Sequence, residues 1–183
     1  ESSNHKMIKC IAFDCFGTVF DMSNVSRDEI KAYVNHVRKN DFSPFEFPQS
    51  WWNLKAHPDS TEGIKLLQQA GFQCVTLSNG DSDLIWQVSR KANIEWNYVV
   101  DLRAEKVYKP NINAYRTIEK LLGYPPQETL MVTANPTFGD IEGAAAIGMP
   151  SQVIRNGQPN SIIELAELLS NNPVFRQYDS TGP

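Results

Sequence analysis

Asp14 is the first residue of this chain placed where chemistry could occur. It comes directly after an apolar run at residues 8–13, and Gly17 and Thr18 follow it. Such a run fits a strand that is buried on both faces. A carboxylate at the carboxyl end of a central strand lies where open α/β sheets bind their ligands. We therefore predict that Asp14 is a nucleophile; the alternative is that it caps a turn.

Polar side chains also stand at or after three later apolar segments. They are Ser78 and Asn79 after the second predicted strand, Lys109 in the loop VYKP, and Thr133, Asn135 and Asp140 around the end of the fourth. The carboxyl ends of parallel strands meet at one edge of a sheet, so we expect these residues to converge on Asp14.

The residue types indicate a separate chemical role for each of these side chains. Lys109 would keep Asp14 ionised, and Ser78, Asn79 and backbone N–H groups would hold a substrate carboxylate or phosphate. Asp140 would orient or deprotonate the water that cleaves an aspartyl ester. Each residue has a structural alternative: a surface lysine, an Asn-Gly turn, or an acid in the first turn of a helix.

The elements that must position these residues alternate between strand and helix. Strands are predicted at residues 8–13, 73–77, 98–101, 129–133 and 150–154, and helices at 60–70, 83–92, 111–122, 138–147 and 160–169. This alternation predicts an α/β fold, a doubly wound, Rossmann-like parallel sheet of five strands in the order 3-2-1-4-5.

Residues 21–57 interrupt the alternation after the first strand. We predict a core of residues 7–20 and 58–170, a small cap or lid at 21–57, and flexible tails at 1–6 and 171–183. Ser26 and Glu29 form a capping box that predicts a helix at residues 26–40.

A Pro- and aromatic-rich stretch follows that helix. It is interpreted as a loop that plugs a hydrophobic surface, or alternatively lines a substrate pocket. If Phe45, Phe47, Trp51 and Trp52 form an exposed patch, the chain is expected to be a homodimer.

Composition excludes several classes of function. The 183 residues suffice for one domain with a core, and a net charge of -4 without a basic block argues against nucleic-acid binding. No apolar run approaches the roughly 18 residues of a membrane span, and the first residues do not form a signal peptide. Three cysteines without a CxxC motif favour a reducing cytoplasm.

These motifs, in this order and spacing, resemble the haloacid dehalogenase superfamily. Its first motif corresponds to residues 14–18, its second to LSNG at residues 77–80, its third to Lys109 and its fourth to residues 133–140. Within the superfamily the chain is most similar to the L-2-haloacid dehalogenase branch. The residues that carry this similarity are Phe16, the LSNG and VYKP loops, Tyr115, and Thr133 with Asn135.

The resemblance implies hydrolysis of a carbon–halogen bond in a small molecule, without a cofactor. It implies Asp14 as nucleophile, Lys109 and Asp140 as further catalytic residues, and Thr18, Phe16, Ser78 and Asn79 around the substrate. Tyr115, Thr133 and Asn135 would form a supporting network.

Three departures from the superfamily pattern keep two other functions open. Phe16 stands where phosphatases carry a general acid, and Asn135 replaces a Mg²⁺ ligand, leaving at most a weak metal site at Asp14 and Asp140. The insert is short, and its only arginines, Arg27 and Arg38, lie outside the context of a halide-binding arginine. The alternatives are a catalytically weak or inactive binding module and a divergent phosphatase.

A longer fourth-motif loop is also expected to affect the site. Residues 136–139 make this loop longer than the family pattern, which would displace Asp140.

Overall fold

The computed structural model describes residues 7–155 and 161–171, which contain seven strands and eight α-helices. The strands are β1 (Cys10–Phe13), β2 (Phe20–Asp21), β3 (Lys55–Ala56), β4 (Gln73–Thr76), β5 (Tyr98–Val99), β6 (Thr129–Thr133) and β7 (Ser151–Val153). The helices are α1 (Arg27–Arg38), α2 (Gln49–Trp52), α3 (Ser60–Gln69), α4 (Ser82–Lys91), α5 (Leu102–Glu105), α6 (Ile112–Leu122), α7 (Asp140–Ala145) and α8 (Ser161–Asn171). The predicted tails at 1–6 and 172–183, and a helix start at Asn160, lie outside the described residues. Asn171, assigned to the C-terminal tail from sequence, is instead the last residue of α8.

Five strands form one parallel sheet in the order β5-β4-β1-β6-β7, which confirms the predicted fold class and strand order. β1 is central: Ile11 is in register with Cys74 of β4 on one side and with Leu130 of β6 on the other. The strand that carries Asp14 at its end is therefore held by hydrogen-bonded neighbours on both edges.

Side chains of β1 alternate between two hydrophobic cores, as the two-residue period of a strand requires. Cys10 and Ala12 join the core that includes residues of α6 and α7, whereas Ile11 and Phe13 join the core that includes residues of α3, α4 and α8. All four β1 side chains are fully buried. The apolar run that predicted a strand buried on both faces is thereby explained.

The capping box predicted for the helix of the insert is present. Ser26 and Glu29 exchange both capping-box bonds at the start of α1, and Gly123 closes α6 in the left-handed region with φ +82°. The predicted start of the helix at 138–147 is wrong. Residues Pro136–Phe138 form a 3₁₀ turn, and Gly139, at φ +97°, redirects the chain so that α7 begins at Asp140.

The insert, residues 21–57, is closed at its base by a short antiparallel ribbon. Phe20 and Asp21 of β2 pair with Ala56 and Lys55 of β3, so the chain leaves the core and returns to it at one place. The sequence pattern did not predict this ribbon because each of its strands has two residues.

An aromatic cluster fills the insert. Its members are Tyr33, Phe45, Phe47 and Trp51, whose ring centroids lie 4.9–5.4 Å apart. Phe47 and Trp51 are buried, and Phe45 and Trp52 are partly buried against the same core. These side chains cover one another and pack against the core, in agreement with the interpretation of a stretch that plugs a hydrophobic surface. The exposed patch that would have indicated a homodimer is not formed.

Within the described ranges, none of the helices combines the length and the apolar character needed to cross a membrane.

Candidate active site

Four segments bring their polar side chains together at the carboxyl edge of the sheet. Asp14 follows β1, Lys109 lies in the loop after α5, Thr133 ends β6, and Asp140 begins α7. The Lys109 Nζ is 3.2 Å from an Asp14 carboxylate oxygen and 3.1 Å from one of Asp140. We call these three residues, Asp14, Lys109 and Asp140, the charged triad. The predicted convergence is present in the structure.

The two oxygens of Asp14 have different surroundings. Oδ2 accepts hydrogen bonds from Thr18 Oγ1 at 2.9 Å and Asn135 Nδ2 at 2.8 Å, with the Thr133 hydroxyl at 3.4 Å. Oδ1 accepts from Lys109 Nζ. The first oxygen is thus fixed by several donors, whereas the second is paired with one cation and keeps lone-pair capacity.

Thr18 has a defined hydrogen-bond direction. Its hydroxyl oxygen accepts the backbone N–H of Ala134 at 2.8 Å, so its proton is left for Asp14. Asn135 in turn donates from the same Nδ2 to Asp14 and to the carbonyl of Phe16 at 3.0 Å. These contacts tie the loop after β1 to the loop after β6 and orient the Asp14 carboxylate.

Lys109 is buried between its two acids, with 8% of its side chain exposed. Burial alone would lower the pKa of this ammonium, but the charges of Asp14 and Asp140 outweigh it and raise the pKa of Lys109 above its ordinary value. The lysine is therefore charged at neutral pH, as an electrostatic partner of a carboxylate nucleophile must be.

Asp140 is held in place by Tyr115. The Tyr115 hydroxyl donates to Asp140 Oδ1 at 2.7 Å, and burial together with the Asp140 charge raises the pKa of this phenol. Gly143 makes room for the ring, because a Cβ at that position would lie 2.2 Å from Tyr115. Asp140 reaches Lys109 from the start of α7, so the longer loop does not move its carboxylate out of the triad.

Asn79 is hydrogen-bonded to the backbone of Lys109, a contact that the sequence did not predict. Its side-chain amide donates to the main-chain carbonyl of Lys109 at 3.0 Å and accepts the Lys109 N–H at 2.7 Å. Both polar atoms of the amide therefore bind the backbone of the lysine. Asn79, predicted to hold the substrate, is placed to hold Lys109 as well.

Ser78 and the adjacent main chain offer hydrogen-bond donors near β1 and β4. Ser78 is buried, and its hydroxyl accepts the Gly80 N–H at 3.3 Å. Within residues 7–155 and 161–171, the backbone N–H groups of Cys15, Ser78 and Asn79 have no protein acceptor. These groups are available to an anionic substrate.

Phe16 provides an apolar wall rather than a proton donor. Its ring packs edge-on against Trp51 with centroids 5.2 Å apart, and it lies so close to Gly80 that a Cβ there would be 2.0 Å from the ring. Cys15, between Phe16 and Asp14, is buried, and burial raises the pKa of its thiol. A reactive role for this cysteine is thereby disfavoured.

The donor set does not suit a divalent cation. The Lys109 ammonium lies between the two carboxylates that a metal would share, and an amide N–H of Asn135 points at Asp14. In the described part of the chain, no group of three or more His, Cys, Asp or Glu side chains could hold a metal ion.

Two tyrosines near the triad were not predicted from sequence. Tyr33 of the insert donates its hydroxyl to the Asn79 carbonyl, and Tyr108, directly before Lys109, donates to the Asp41 carbonyl at 2.7 Å. Tyr108 belongs to the VYKP loop, which the sequence motifs had already singled out for Lys109. Nothing in the sequence around Tyr33 indicated its contact with Asn79.

Comparisons with known proteins agree on one family. A family model described as haloacid dehalogenase-like hydrolase matches residues 46–148. The (S)-2-haloacid dehalogenase 4A of Burkholderia cepacia is 32% identical over 136 residues, which cover 65% of this chain and 57% of that protein. The (S)-2-haloacid dehalogenase H-109 of Pseudomonas putida is 29% identical over 104 residues, covering 56% of this chain and 46% of the relative. The chain thus spans about half the length of these curated relatives.

Solved structures resemble this chain in fold. An L-2-haloacid dehalogenase structure superposes with a TM-score of 0.71 at 21% identity, covering 88% of this chain and 99% of that one. The L-2-haloacid dehalogenase from Xanthobacter autotrophicus gives a TM-score of 0.65 at 22% identity, covering 95% and 88%.

Proposed function

Because this chain belongs to the haloacid dehalogenase-like hydrolases, we propose that it hydrolyses the carbon–halogen bond of a small 2-haloacid, with Asp14 as nucleophile. The observation that carries the proposal is the asymmetric carboxylate of Asp14. One oxygen is fixed by Thr18 and Asn135, and the other is paired with Lys109. This geometry suits one oriented, ionised oxygen for attack on carbon.

In the first step, Asp14 Oδ1 forms a bond to the carbon that bears the halogen, and the carbon–halogen bond breaks with its electron pair. The products of this step are an ester of Asp14 and a halide ion. Lys109 balances the negative charge of the reacting carboxylate. A halide leaves without protonation, so Phe16, which has no proton to give, does not impede it. The same residue argues against phosphomonoester hydrolysis, in which the leaving alkoxide needs a proton.

In the second step, water attacks the carbonyl carbon of the Asp14 ester. Asp140 takes one proton of the water, the bond between the Asp14 carbonyl carbon and Oδ1 breaks, and the departing oxygen takes that proton from Asp140 to give a 2-hydroxyacid. The remaining proton of the water passes to solvent as the Asp14 carboxylate is regenerated. Tyr115 and Lys109 orient Asp140 for this task through contacts at 2.7 Å and 3.1 Å. Thr18, Thr133 and Asn135 keep Oδ2, the carbonyl oxygen of the ester, in position.

The substrate carboxylate would be held by Ser78 and Asn79 with the backbone N–H groups of Cys15, Ser78 and Asn79. Phe16 would supply the apolar wall beside the reacting carbon. The relatives that carry haloacid dehalogenase names act on such acids, and a 2-haloalkanoate fits a site with one carboxylate-binding edge.

We further propose the division into a core of residues 7–20 and 58–170 and a cap of residues 21–57. The cap brings the aromatic cluster next to Phe16, which supports a role in excluding water from the site.

One observation favours the alternative of a catalytically weak binding module. Arg27 and Arg38, the arginines of the insert, are exposed to solvent. The cap residues described therefore bring no guanidinium to a departing halide. A binding module would keep the charged triad but not turn over.

Single-turnover mass spectrometry in H₂¹⁸O separates these possibilities. Excess protein is mixed with (S)-2-chloropropionate, and the peptide containing Asp14 is analysed. Ester hydrolysis at the Asp14 carbonyl incorporates one ¹⁸O into this peptide, while the first-turnover product keeps ¹⁶O. Turnover with ¹⁸O only in the product would refute the nucleophile assignment.

Asp14→Asn should lower the rate by at least about 10⁴-fold, because an amide cannot replace the nucleophile. Asp83→Asn, the same change at an exposed position of α4, serves as the control and should leave the rate unchanged. Absence of turnover over a panel of haloacids and phosphoesters would favour the binding module.

A homodimer and a cytoplasmic location remain predictions. The exposed aromatic patch that suggested dimerisation is covered in the structure, so the homodimer has lost its original support. Sedimentation velocity over a concentration series tests it, and a monomer at all concentrations would contradict it.

A further inference from the structure

The insert makes a direct polar contact with the loop after β4. Tyr33 of α1 is buried in the aromatic cluster, and its hydroxyl donates to the main-chain carbonyl of Asn79. Burial raises the pKa of this phenol, so the hydroxyl stays protonated and remains a donor. One residue of the insert thus holds the position of Asn79.

Asn79 in turn restrains the backbone of Lys109. Its amide forms two hydrogen bonds with the Lys109 backbone, one to the carbonyl and one from the N–H. A pair of bonds to one residue restrains both the place and the orientation of its backbone. The Lys109 side chain extends from this restrained point to Asp14 and Asp140.

A second contact from the insert reaches the residue before the lysine. The Tyr108 hydroxyl donates to the Asp41 carbonyl at 2.7 Å, and its ring stacks on Phe42 with centroids 4.8 Å apart. Arg103 adds a hydrogen bond to the Phe42 carbonyl at 3.1 Å and an ion pair with Asp81. The Lys109 loop is therefore attached to the insert on two sides.

From these contacts we propose that the insert acts as a fixed clamp on Lys109, with Tyr33 and Tyr108 as positioning residues. Tyr33 acts through Asn79, and Tyr108 acts through the peptide bond it shares with Lys109. The clamp sets the distance between the Lys109 ammonium and the nucleophile, so the insert contributes to the rate as well as covering the site. This inference rests on the proposed role of Lys109 in the hydrolysis.

The test replaces each hydroxyl by hydrogen. Tyr33→Phe and Tyr108→Phe each remove one link and keep the ring that packs in the core. Because a misplaced charge stabilises the transition state less, kcat is expected to fall about tenfold in each variant with little change in KM. Tyr98→Phe, at an exposed position of β5, is the matched control and should behave as the unmodified chain.

A titration separates positioning from a general loss of structure. Chains carrying ¹³C at lysine Cε report the pKa of Lys109 by NMR, with Lys109→Arg to assign its signal. A clamp predicts a lower pKa in Tyr33→Phe and Tyr108→Phe, since a loosened ammonium loses part of its attraction to Asp14 and Asp140. The alkaline limb of the kcat profile should shift to lower pH in parallel.

Two outcomes overturn the clamp. One is an unchanged Lys109 titration in both variants; the other is a fall in activity that follows only the loss of folded protein. The titration does not require turnover. If the chain lacks haloacid hydrolysis but the Lys109 pKa moves, the clamp stands and the proposed function fails.

Discussion

The carboxyl edge of the sheet and the insert next to it are held together by different kinds of contact. At the edge, the charged triad places two acids and one base within 3.2 Å contacts, oriented by Thr18, Asn135 and Tyr115. In the insert, the neighbouring space is filled by the rings of the aromatic cluster. The edge is thus organised by charge and the insert by packing.

This difference indicates what each region contributes. Charges in a water-poor setting act strongly on a developing transition state, but they are costly to bury unless they are paired. Rings exclude water and hold hydroxyls such as that of Tyr33 in place. Mutations at the edge should therefore affect activity more than packing, and mutations in the insert should affect stability first.

Among the changes that compare the two regions, the largest effect is expected from Lys109→Met, which removes the base from the triad. Asp140, which is buried, and Asp14, which is partly buried, then face each other without a cation. The free energy of unfolding should therefore fall by about 3–5 kcal/mol and kcat/KM by about 10²–10³-fold. Urea unfolding and steady-state kinetics measure the two losses. Lys106→Met, at an exposed site, is the control. Retained activity would mean that the edge does not work by charge.

Trp51→Ala should produce the next largest effect, and mainly on stability. Trp51 is buried with 2% exposure and contacts Tyr33, Phe47 and Phe16, so its removal leaves a large cavity. We expect the free energy of unfolding to fall by about 3–5 kcal/mol, with a smaller fractional loss of kcat than Lys109→Met. Thermal unfolding measures the loss of stability, and kcat is measured at a temperature where both Trp51→Ala and Lys109→Met are folded. A loss of kcat as large as that of Lys109→Met would remove the distinction between the regions.

A smaller effect is expected in how the free energy of unfolding changes at alkaline pH. The folded-state pKa of Lys109 lies above its ordinary value, so the stability it contributes is complete below about pH 10.4 and is lost as pH rises toward the folded pKa. The free energy of unfolding should therefore decline above about pH 10, and less steeply in Lys109→Met. Tyr33 and Tyr115, whose pKa values are also raised, contribute the decline that remains. Equal slopes in the two proteins would contradict the assignment.

The smallest expected effect concerns the sheet below both regions. The Thr76 hydroxyl in β4 is buried and has no hydrogen-bond partner among the described residues. Thr76→Val should therefore stabilise the chain by about 1 kcal/mol, because a methyl group replaces an unpaired polar group. The matched control is Thr129→Val in β6, whose hydroxyl donates to Pro125 at 3.2 Å and whose loss should destabilise by a similar amount. Destabilisation by Thr76→Val would point to an unrecognised contact of its hydroxyl.

The sequence predicted the edge better than the insert for a physical reason. Apolar runs such as residues 8–13 and caps such as Gly123 are local signals, and parallel strands bring their ends together by geometry. The positions of Asp14, Lys109 and Asp140 followed from those signals. The start of α7 was missed because it depends on the positive φ of Gly139.

Contacts within the insert depend on pairs that are distant in sequence. β2 and β3 have two residues each, too few for a pattern, and α2 has four. The bonds from Tyr33 to Asn79 and from Tyr108 to Asp41 span 46 and 67 positions, and no local pattern marks them. For the same reason the sequence left open whether the aromatic residues plug a hydrophobic surface, line a pocket or form an exposed patch.

The β2–β3 ribbon allows the insert to be replaced as one unit. Phe20 pairs with Ala56, so the entry and exit points of the insert lie side by side. A segment anchored in this way can be lengthened, shortened or recombined with little disturbance to the sheet, since closing a longer loop costs little additional entropy. During evolution, splicing between residues 21 and 55 would change the reach and shape of the cover, and so the range of accepted molecules, without altering the strands of the sheet. A replacement segment would still have to supply the contacts that Tyr33 and Asp41 make with Asn79 and Tyr108.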